Sequence, residues 1–340
     1  MSVHPFLYPF GDEERWISFL QHCLFWDESE LEKAKTLIRQ NIIPVIHGPE
    51  IASFLGISPK LVGHMAVKPN EYYRSFKIKK KNGKFREITA PRVFLKTVQR
   101  YLLDCILTPL KLHPSAVGFR RELSVRNGAE RHVGRKFAWN IDLKDFFPSI
   151  TKKSVLILFE KIGFPKKSAF FLSGLCCLQE RLPQGAPTSP AISNLIFYGA
   201  DESIFREAKK HSIIYTRYAD DLSFSSDQPI QPSFQKAVLE IVKLSGFRIN
   251  SEKSRLMGPR CRREVTGLTV NQKVSVPRET RRNLRARFHH VSLNPRKFVK
   301  EKEVLLGYAT WISQYHPKQG KQFHQIASQI PDEPGASARG

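Results

Sequence analysis

The chain has 340 residues, 41% of them hydrophobic, which suits two or three cooperating subdomains with an ordinary core and excludes general disorder. Lys and Arg number 55 against 31 Asp and Glu, which gives a formal net charge of +24. This excess favours a polyanionic partner, most commonly nucleic acid, over a basic surface with no dedicated partner.

The five cysteines form no CxxC pair, two of them are adjacent, and their number is odd. These features disfavour a disulfide framework or a structural zinc site and fit a reducing compartment. The sequence opens without a charged and then apolar leader, and it contains no run of about 18 apolar residues. We therefore expect a soluble, cytoplasmic protein with no membrane partner.

Helical spacing of apolar residues predicts a helix over 13–40 and another over 50–62, which we interpret as a structural helix with a glycine stop. Two alternating segments, 73–78 and 84–88, then flank Asn82-Gly83, the strongest short-range signal of a β-hairpin. The Lys- and Arg-rich tip is by itself equally compatible with a solvated charged turn. In the middle of the chain the pattern predicts a helix over 94–107, a strand from 137 to 142, helical segments to 179 and a helix over 191–209. Strands over 213–215 and 222–225 and further short strands up to 276 follow. The last part is predicted to hold a basic helical segment over 278–287, a helix over 305–315 and a disordered tail after 331.

Asp220 and Asp221 lie in a turn between two β-patterned segments. Adjacent acidic residues in an apolar hairpin repel each other unless a cation neutralises them, although an exposed acidic turn would explain this pair equally well by itself. Asp142 favours a metal site because it ends an apolar strand and completes a set of three carboxylates beside the hairpin tip. Phosphoryl transfer to a nucleotide uses two divalent cations about 3.5–4 Å apart. We therefore predict that Asp142, Asp220 and Asp221 are catalytic and hold two Mg2+ ions.

The segments around these carboxylates resemble the bacterial retron reverse transcriptases, which are RNA-directed DNA polymerases. The similarity runs in family order from about residue 70 to residue 320 and includes a nucleotide-pocket motif, a motif with a lysine near the pyrophosphate, a Val-Thr-Gly motif at the primer grip and a retron insertion. The matching segments are 140–150, 182–190, Tyr218-Ala219-Asp220-Asp221, 246–253, 265–268, and Gly118-Phe119 followed by 127–132. In the insertion, Gly128 stands where the family has Asn directly before Ala129.

The resemblance implies an α+β right-hand polymerase with a ferredoxin-like palm, a fingers hairpin, a helical thumb and an N-terminal helical extension. The boundaries that follow are 1–65 for the N-terminal helical extension, 66–272 for the fingers and palm, 273–330 for the thumb and 331–340 for the disordered tail.

The resemblance also implies roles for single residues. Phe147, five positions after Asp142, would lie under the sugar and exclude a ribose 2′-hydroxyl, although a plain core position also fits. Gln184 would contact the incoming nucleotide, and Lys253 could protonate the departing pyrophosphate, although a solvated lysine fits nearly as well. Residues expected to clamp the triphosphate are Arg86 with Lys79 or Lys81. Residues expected to contact RNA or primer are Asn127, His132, Val265, Thr266, Gly267, Arg278, Arg281, Arg282 and Arg285, of which the arginines would follow phosphates along a thumb helix or else form a solvated face.

A retron-type enzyme would copy a dedicated structured noncoding RNA, which is both template and primer, from deoxynucleoside triphosphates. The product would be RNA-linked DNA (msDNA) with a 2′-5′ branch, used with an effector protein in antiphage defence. Alternatives are another bacterial reverse transcriptase (defence-associated or group II intron-like) with different priming, an RNA-making polymerase, and a noncatalytic RNA-binding scaffold.

Overall fold

Helices are the main elements of the fold, and strands form a hairpin, a central sheet and a second short hairpin. The computed structural model describes residues 12–24, 26–79, 83 and 85–332, with residue 86 described by its backbone. The helices are α1 (Glu13–Cys23), α2 (Glu28–Ile38), α3 (Glu50–Leu55), α4 (Pro59–Val67), α5 (Val93–Leu102), α6 (Val125–Glu130), α7 (Phe146–Ser149), α8 (Lys152–Ile162), α9 (Lys166–Cys176), α10 (Ser189–Ile196), α11 (Tyr198–Lys210), α12 (Pro232–Leu244), α13 (Arg278–Leu293), α14 (Lys302–Ser313) and α15 (Pro317–Ser328). The strands are β1 (Tyr73–Lys79), β2 (Phe85–Pro91), β3 (Phe137–Lys144), β4 (Ile214–Tyr218), β5 (Asp221–Ser226), β6 (Arg248–Met257), β7 (Glu264–Val265) and β8 (Leu268–Thr269).

The single helix predicted over 13–40 is two helices, because a capping box starts α2. The Asp27 side chain accepts a hydrogen bond from Glu30 N at 2.9 Å, and the Glu30 side chain accepts one from Asp27 N at 3.0 Å. A left-handed Gly56 (φ 64°) ends α3, and α4 begins at Pro59. The glycine stop expected within 50–62 therefore lies at Gly56 and divides that segment in two.

The first hairpin pairs β1 with β2 antiparallel, with Tyr73 opposite Pro91 and Lys79 opposite Phe85. Its turn, including Lys81 and Asn82, lies outside the described residues. The base of the hairpin packs on the loop before α10, because Thr89 N donates a hydrogen bond to Gln184 O at 3.0 Å.

The central sheet has four antiparallel strands in the order β4-β5-β3-β6. Helices α7 to α11 connect β3 to β4 and α12 connects β5 to β6, which makes the β-α-β-β-α-β unit of a ferredoxin-like fold. One face of the sheet is apolar. Trp139 stacks on Phe224 with 5.0 Å between ring centroids, and Phe224 stacks on Tyr215 at 5.1 Å. Burial of this face fixes the strand register, since a slip by one residue would turn the apolar side chains outward.

The outer edge of β4 is covered by the loop segment 113–118. Arg217 N donates a hydrogen bond to Ser115 O at 2.7 Å, and Val117 N donates one to Arg217 O at 2.8 Å. This segment therefore occupies the edge hydrogen-bonding positions that an additional strand would use.

A second, smaller hydrophobic core lies among α13, α14 and α15. Phe288 and Phe323 stack there with 4.0 Å between ring centroids. Val265 and Leu268 of the β7–β8 hairpin and Ala129 of α6 join this core. The C-terminal core therefore begins before residue 273 in sequence. None of the described helices is long and apolar enough to cross a lipid bilayer.

Gly174→Ala should lower the free energy of unfolding by about 1–3 kcal/mol, because overpacking would push α9 away from α4. A methyl group at Gly174 would lie 2.5 Å from the Ala66 carbonyl oxygen, which belongs to rigid helix backbone. Thermal unfolding of the free protein measures the loss. Gly307→Ala in α14 is the matched control, since a methyl group there meets no atom within 4 Å. That control should gain about 0.5–1 kcal/mol, and equal stability of the two variants would contradict the close contact.

Candidate active site

The three predicted carboxylates lie on neighbouring elements of the central sheet. The register of β3 on β5 places Asp142 directly opposite Asp221. Asp220 occupies the turn between β4 and β5, and its carbonyl oxygen accepts a hydrogen bond from Leu143 N at 2.8 Å. The residue before it, Ala219, has a left-handed backbone (φ 57°) that makes the turn tight. All three aspartates line one cleft of about 1170 Å³.

The carboxylates repel one another. Burial, together with the charges of Asp220 and Asp142, raises the pKa of Asp221 to about 7, and only Lys253 opposes the shift. Lys253 lies on β6, and its Nζ donates hydrogen bonds to Asp142 Oδ1 at 2.8 Å and Oδ2 at 2.9 Å. One ammonium group therefore balances part of a cluster that carries up to three negative charges.

This donor set fits a divalent cation by its chemistry, because hard cations prefer carboxylate oxygens and the cluster holds more negative charge than Lys253 neutralises. As the side chains stand, no three His, Cys, Asp or Glu side chains in the described part of the chain converge on one point. At Asp142 both carboxylate oxygens accept hydrogen bonds from Lys253. Its side chain is 58% exposed, so it can rotate away into water.

The walls of the cleft include two of the predicted nucleotide-binding residues, Phe147 and Gln184. Phe147 is half-buried and packs against Phe119, with 6.1 Å between ring centroids. Phe119 in turn lies 6.0 Å from the ring of Tyr218, next to the catalytic turn. The motifs predict no role for Phe119 in the nucleotide pocket, and its position directly after Gly118 is the one signal for it in the sequence.

The structure describes only some of the residues predicted to clamp the triphosphate. Lys79 is exposed at the end of β1, and the Arg86 backbone pairs with Ile78. Lys81 lies outside the described residues. Lys253 is placed by its bond to Asp142 at the floor of the cleft.

The Val-Thr-Gly segment forms the turn of the β7–β8 hairpin. Thr266 (φ 47°) and Gly267 (φ 77°) both have left-handed backbones, and Thr266 lines the cleft. Among the described residues, the Thr266 hydroxyl has no hydrogen-bond partner although it is enclosed. Val265 is fully buried in the C-terminal core, which contradicts the prediction that its side chain contacts RNA.

The retron insertion contributes internal contacts. Asn127 Oδ1 accepts hydrogen bonds from Ser124 N and Oγ, both at 2.8 Å, and so caps α6. His132 is fully buried, and its two ring nitrogens lie 2.7 Å from Ser225 Oγ of β5 and Thr216 Oγ1 of β4. The burial of His132 contradicts its predicted contact with RNA, and its hydrogen bonds instead join the two strands of the catalytic hairpin.

The predicted thumb arginines differ in their surroundings. Arg278, Arg282 and Arg285 are exposed and share one face of α13, because they are spaced by four and three residues. Arg281 is half-buried and donates from Nε to Val276 O at 3.2 Å. Three of the four predicted arginines are therefore available to a ligand.

Comparison with known proteins agrees with this geometry. The sequence profile of the family described as reverse transcriptase (RNA-dependent DNA polymerase) matches residues 78–281, more than half of the chain. The chain belongs to the reverse transcriptases, and it is an RNA-directed DNA polymerase of a divalent-metal-dependent class. The predicted α+β right-hand fold is confirmed, with the central sheet as palm, the β1–β2 hairpin as fingers and the C-terminal helices as thumb.

Curated proteins that are similar in sequence to this chain indicate which type of reverse transcriptase it is. The retron Ec86 reverse transcriptase of Escherichia coli is 39% identical over 228 residues, which cover 64% of this chain and 70% of that protein. The retron Mx65 reverse transcriptase of Myxococcus xanthus is 32% identical over 296 residues, 80% of this chain and 69% of that protein. This polymerase is therefore a bacterial retron-type reverse transcriptase, as its motifs predict.

His132→Gln should flatten the dependence of stability on pH between pH 6.5 and pH 4. Burial, reinforced by Arg131 and Arg135, lowers the pKa of His132 to about 3. The unfolded chain therefore binds a proton below pH 6.5 that the folded chain does not, so the wild type loses stability as pH falls. The variant should lack a slope of about 1.4 kcal/mol per pH unit.

Urea unfolding at several pH values measures that slope. The control is His22→Gln, since His22 is on the exposed side of α1 and its replacement should leave the slope unchanged. Identical slopes for wild type and His132→Gln would contradict a neutral, buried imidazole.

Proposed function

We propose that this reverse transcriptase copies a dedicated structured noncoding RNA into DNA, with Asp142, Asp220 and Asp221 holding two Mg2+ ions. The observation that carries the proposal is the register of β3 on β5, which sets Asp142 opposite Asp221 at the floor of a cleft large enough for a nucleotide and primer end. When bound, the cations would lower the pKa of the attacking hydroxyl and stabilise charge on the leaving pyrophosphate.

The chain's own residues would orient the deoxynucleoside triphosphate. We assign Phe147, which packs against Phe119 in the wall of the cleft, to the exclusion of a ribose 2′-hydroxyl, so that the pocket would favour deoxynucleotides. Gln184 faces the same cleft, and its backbone is fixed by Thr89 N of β2. The Lys253 ammonium donates a hydrogen bond to Asp142. Once released from Asp142, Lys253 would donate a proton to the pyrophosphate. We assign Lys79, Lys81 and Arg86 of the hairpin to the triphosphate.

The retron relatives support a specific RNA partner. We infer that one structured noncoding RNA serves as template and primer and that synthesis starts from a guanosine 2′-hydroxyl, giving 2′-5′ branched msDNA. Thr266 lines the cleft, and among the described residues its hydroxyl has no hydrogen-bond partner. We assign Thr266, Gly267 and Asn127 to contacts with the RNA or primer. An effector protein and a role in antiphage defence complete the proposal.

One hydrophobic core joins the N-terminal helices to the central sheet, and a second lies among the C-terminal helices. We propose an N-terminal helical extension to residue 65, fingers and palm over 66–272 and a thumb over 273–330. The thumb core also includes β7–β8 and Ala129 of the retron insertion, so these segments pack together with the thumb helices. Of the predicted disordered tail, 331–340, residues 333–340 lie outside the described residues.

Asp220→Asn with Asp221→Asn should abolish DNA synthesis while RNA affinity stays within about twofold. Losing cation ligands should cost at least ~4 kcal/mol of transition-state stabilisation, about a thousandfold in rate. The assay incubates the purified protein and its copurifying RNA with labelled dNTPs and magnesium, then tests the product for a 2′-5′ branch with a debranching enzyme.

The outcomes separate the alternatives. Incorporation that survives the double substitution would support a scaffold whose associated activity lies elsewhere and would overturn the proposed site. Unbranched DNA from the wild type would indicate a bacterial reverse transcriptase with different priming. Preferential use of ribonucleotides would indicate an RNA-making polymerase.

Replacing Arg278, Arg282 and Arg285 together by Gln should weaken RNA binding and lower the slope of log affinity against log salt by about 2–3, near one for each RNA phosphate that an arginine no longer neutralises. A filter-binding titration at several salt concentrations measures both. Arg287→Gln is the matched control on the same helix, because Arg287 pairs with Glu301 and lies over the Tyr308 ring. Equal slopes for the triple variant and wild type would place the RNA on another surface.

A further inference from the structure

A buried ion pair lies directly behind the catalytic turn. Arg217 of β4 and Asp201 of α11 are both fully buried. Arg217 Nε donates a hydrogen bond to Asp201 Oδ1 at 2.9 Å, and Arg217 Nη2 donates one to Asp201 Oδ2 at 2.6 Å. Tyr215 also donates to Asp201 Oδ1, at 2.7 Å. Well-packed apolar residues often stabilise a core as well as such a pair does, so stability alone does not explain it.

The remaining guanidinium nitrogen reaches the catalytic turn. Arg217 Nη1 donates hydrogen bonds to the Ala219 carbonyl oxygen at 3.1 Å and to Asn194 Oδ1 at 3.0 Å. Ala219 is the residue before Asp220, and its left-handed backbone (φ 57°) is unfavourable for a residue with a Cβ atom. A strained conformation persists only where surrounding contacts determine it. The Arg217 bond is such a contact.

A second set of contacts encloses the turn from the side of the 113–118 segment. Asn194 Nδ2 donates a hydrogen bond to Gly118 O at 2.9 Å. A methyl group on Gly118 would lie 2.8 Å from Ala219 N, so the two backbones are in close contact. Arg217, Asn194 and Gly118 together therefore surround the backbone that carries Asp220.

We propose that Arg217 is a positioning residue of the polymerase: held by Asp201, its guanidinium fixes the Ala219 backbone and thereby the place of the Asp220 carboxylate relative to Asp142. This inference rests on the proposed function of Asp220 as a cation ligand. Arg suits the position because its planar fork binds Asp201 with two nitrogens and leaves the third for the turn, which a lysine ammonium cannot do. The rings of Phe197 and Phe146 lie 4.7 Å and 5.9 Å from the guanidinium carbon and keep its plane in place.

The test replaces both charges by apolar residues, Arg217→Met with Asp201→Leu, so that no unpaired charge remains in the core. We expect kcat for dNTP incorporation to fall about 10–100-fold, as small misplacements of catalytic groups do. KM for dNTP should change less than about threefold, because the nucleotide walls are intact, while the Mg2+ concentration for half-maximal activity should rise several-fold.

Two further variants keep the test decisive. Asn194→Ala removes one acceptor of the guanidinium and the hydrogen bond to Gly118 O, keeps the Arg217–Asp201 ion pair, and should lower kcat in the same direction. Gly174→Ala controls for reduced stability, since it acts between α4 and α9, and should leave kcat and the Mg2+ requirement unchanged at a temperature where it is folded. Asn194→Ala and the Arg217→Met/Asp201→Leu variant are compared with wild type, the latter provided that it folds. If each folded variant keeps kcat within twofold of wild type, Arg217 is merely structural and the inference is overturned.

Failure of the inference is distinguishable from failure of the proposed function. Asp220→Asn is measured in the same assay. Loss of activity in Asp220→Asn with unchanged kcat in the Arg217 and Asn194 variants would overturn the positioning role alone. Full activity in Asp220→Asn would overturn the cation-ligand role, and the inference with it.

Discussion

The antiparallel pairing of β3 with β5 is the constraint on which the site depends. Side chains alternate between the two faces of a strand, so the register that buries Trp139 and Ile141 with Phe224 and Leu222 also sets Asp142 opposite Asp221. A slip of one residue would expose the apolar face and move Asp142 to the other side of the sheet. The free energy that fixes the carboxylates therefore comes largely from apolar packing behind them.

That packing has to oppose the repulsion among the carboxylates. The hairpin that carries Asp220 and Asp221 is held at two places by buried polar groups. His132 joins Thr216 to Ser225 on one side, and Arg217 binds the Ala219 carbonyl on the other. Because α6, which precedes His132, also gives Ala129 to the C-terminal core, this short segment contacts both that core and the β4–β5 hairpin.

The sequence predicts the parts of this design that have local signals. Strand-end carboxylates, the pairing of β1 with β2 and the basic α13 all follow from pattern and charge. Helices α12 and α15 were not predicted, although both show helical spacing of apolar residues, in Phe234, Val238 and Val242 and in Phe323, Ile326 and Ala327. His132 and Val265 were misassigned because a motif gives the order of residues but not the direction of a side chain. An arginine within the apolar β4 was the available signal for the buried ion pair.

The basic charge of the chain has a local counterpart at the cleft. Lys253 donates to both oxygens of Asp142, so the proposed cation would compete with the ammonium for this carboxylate. Displacement is feasible because β6 is the edge strand of the sheet and the Lys253 side chain is largely exposed. In the proposed site, a bound cation would replace part of the positive charge that Lys253 supplies to Asp142. Lys253, which lowers the repulsion among the carboxylates in the free protein, would then be available to a phosphate.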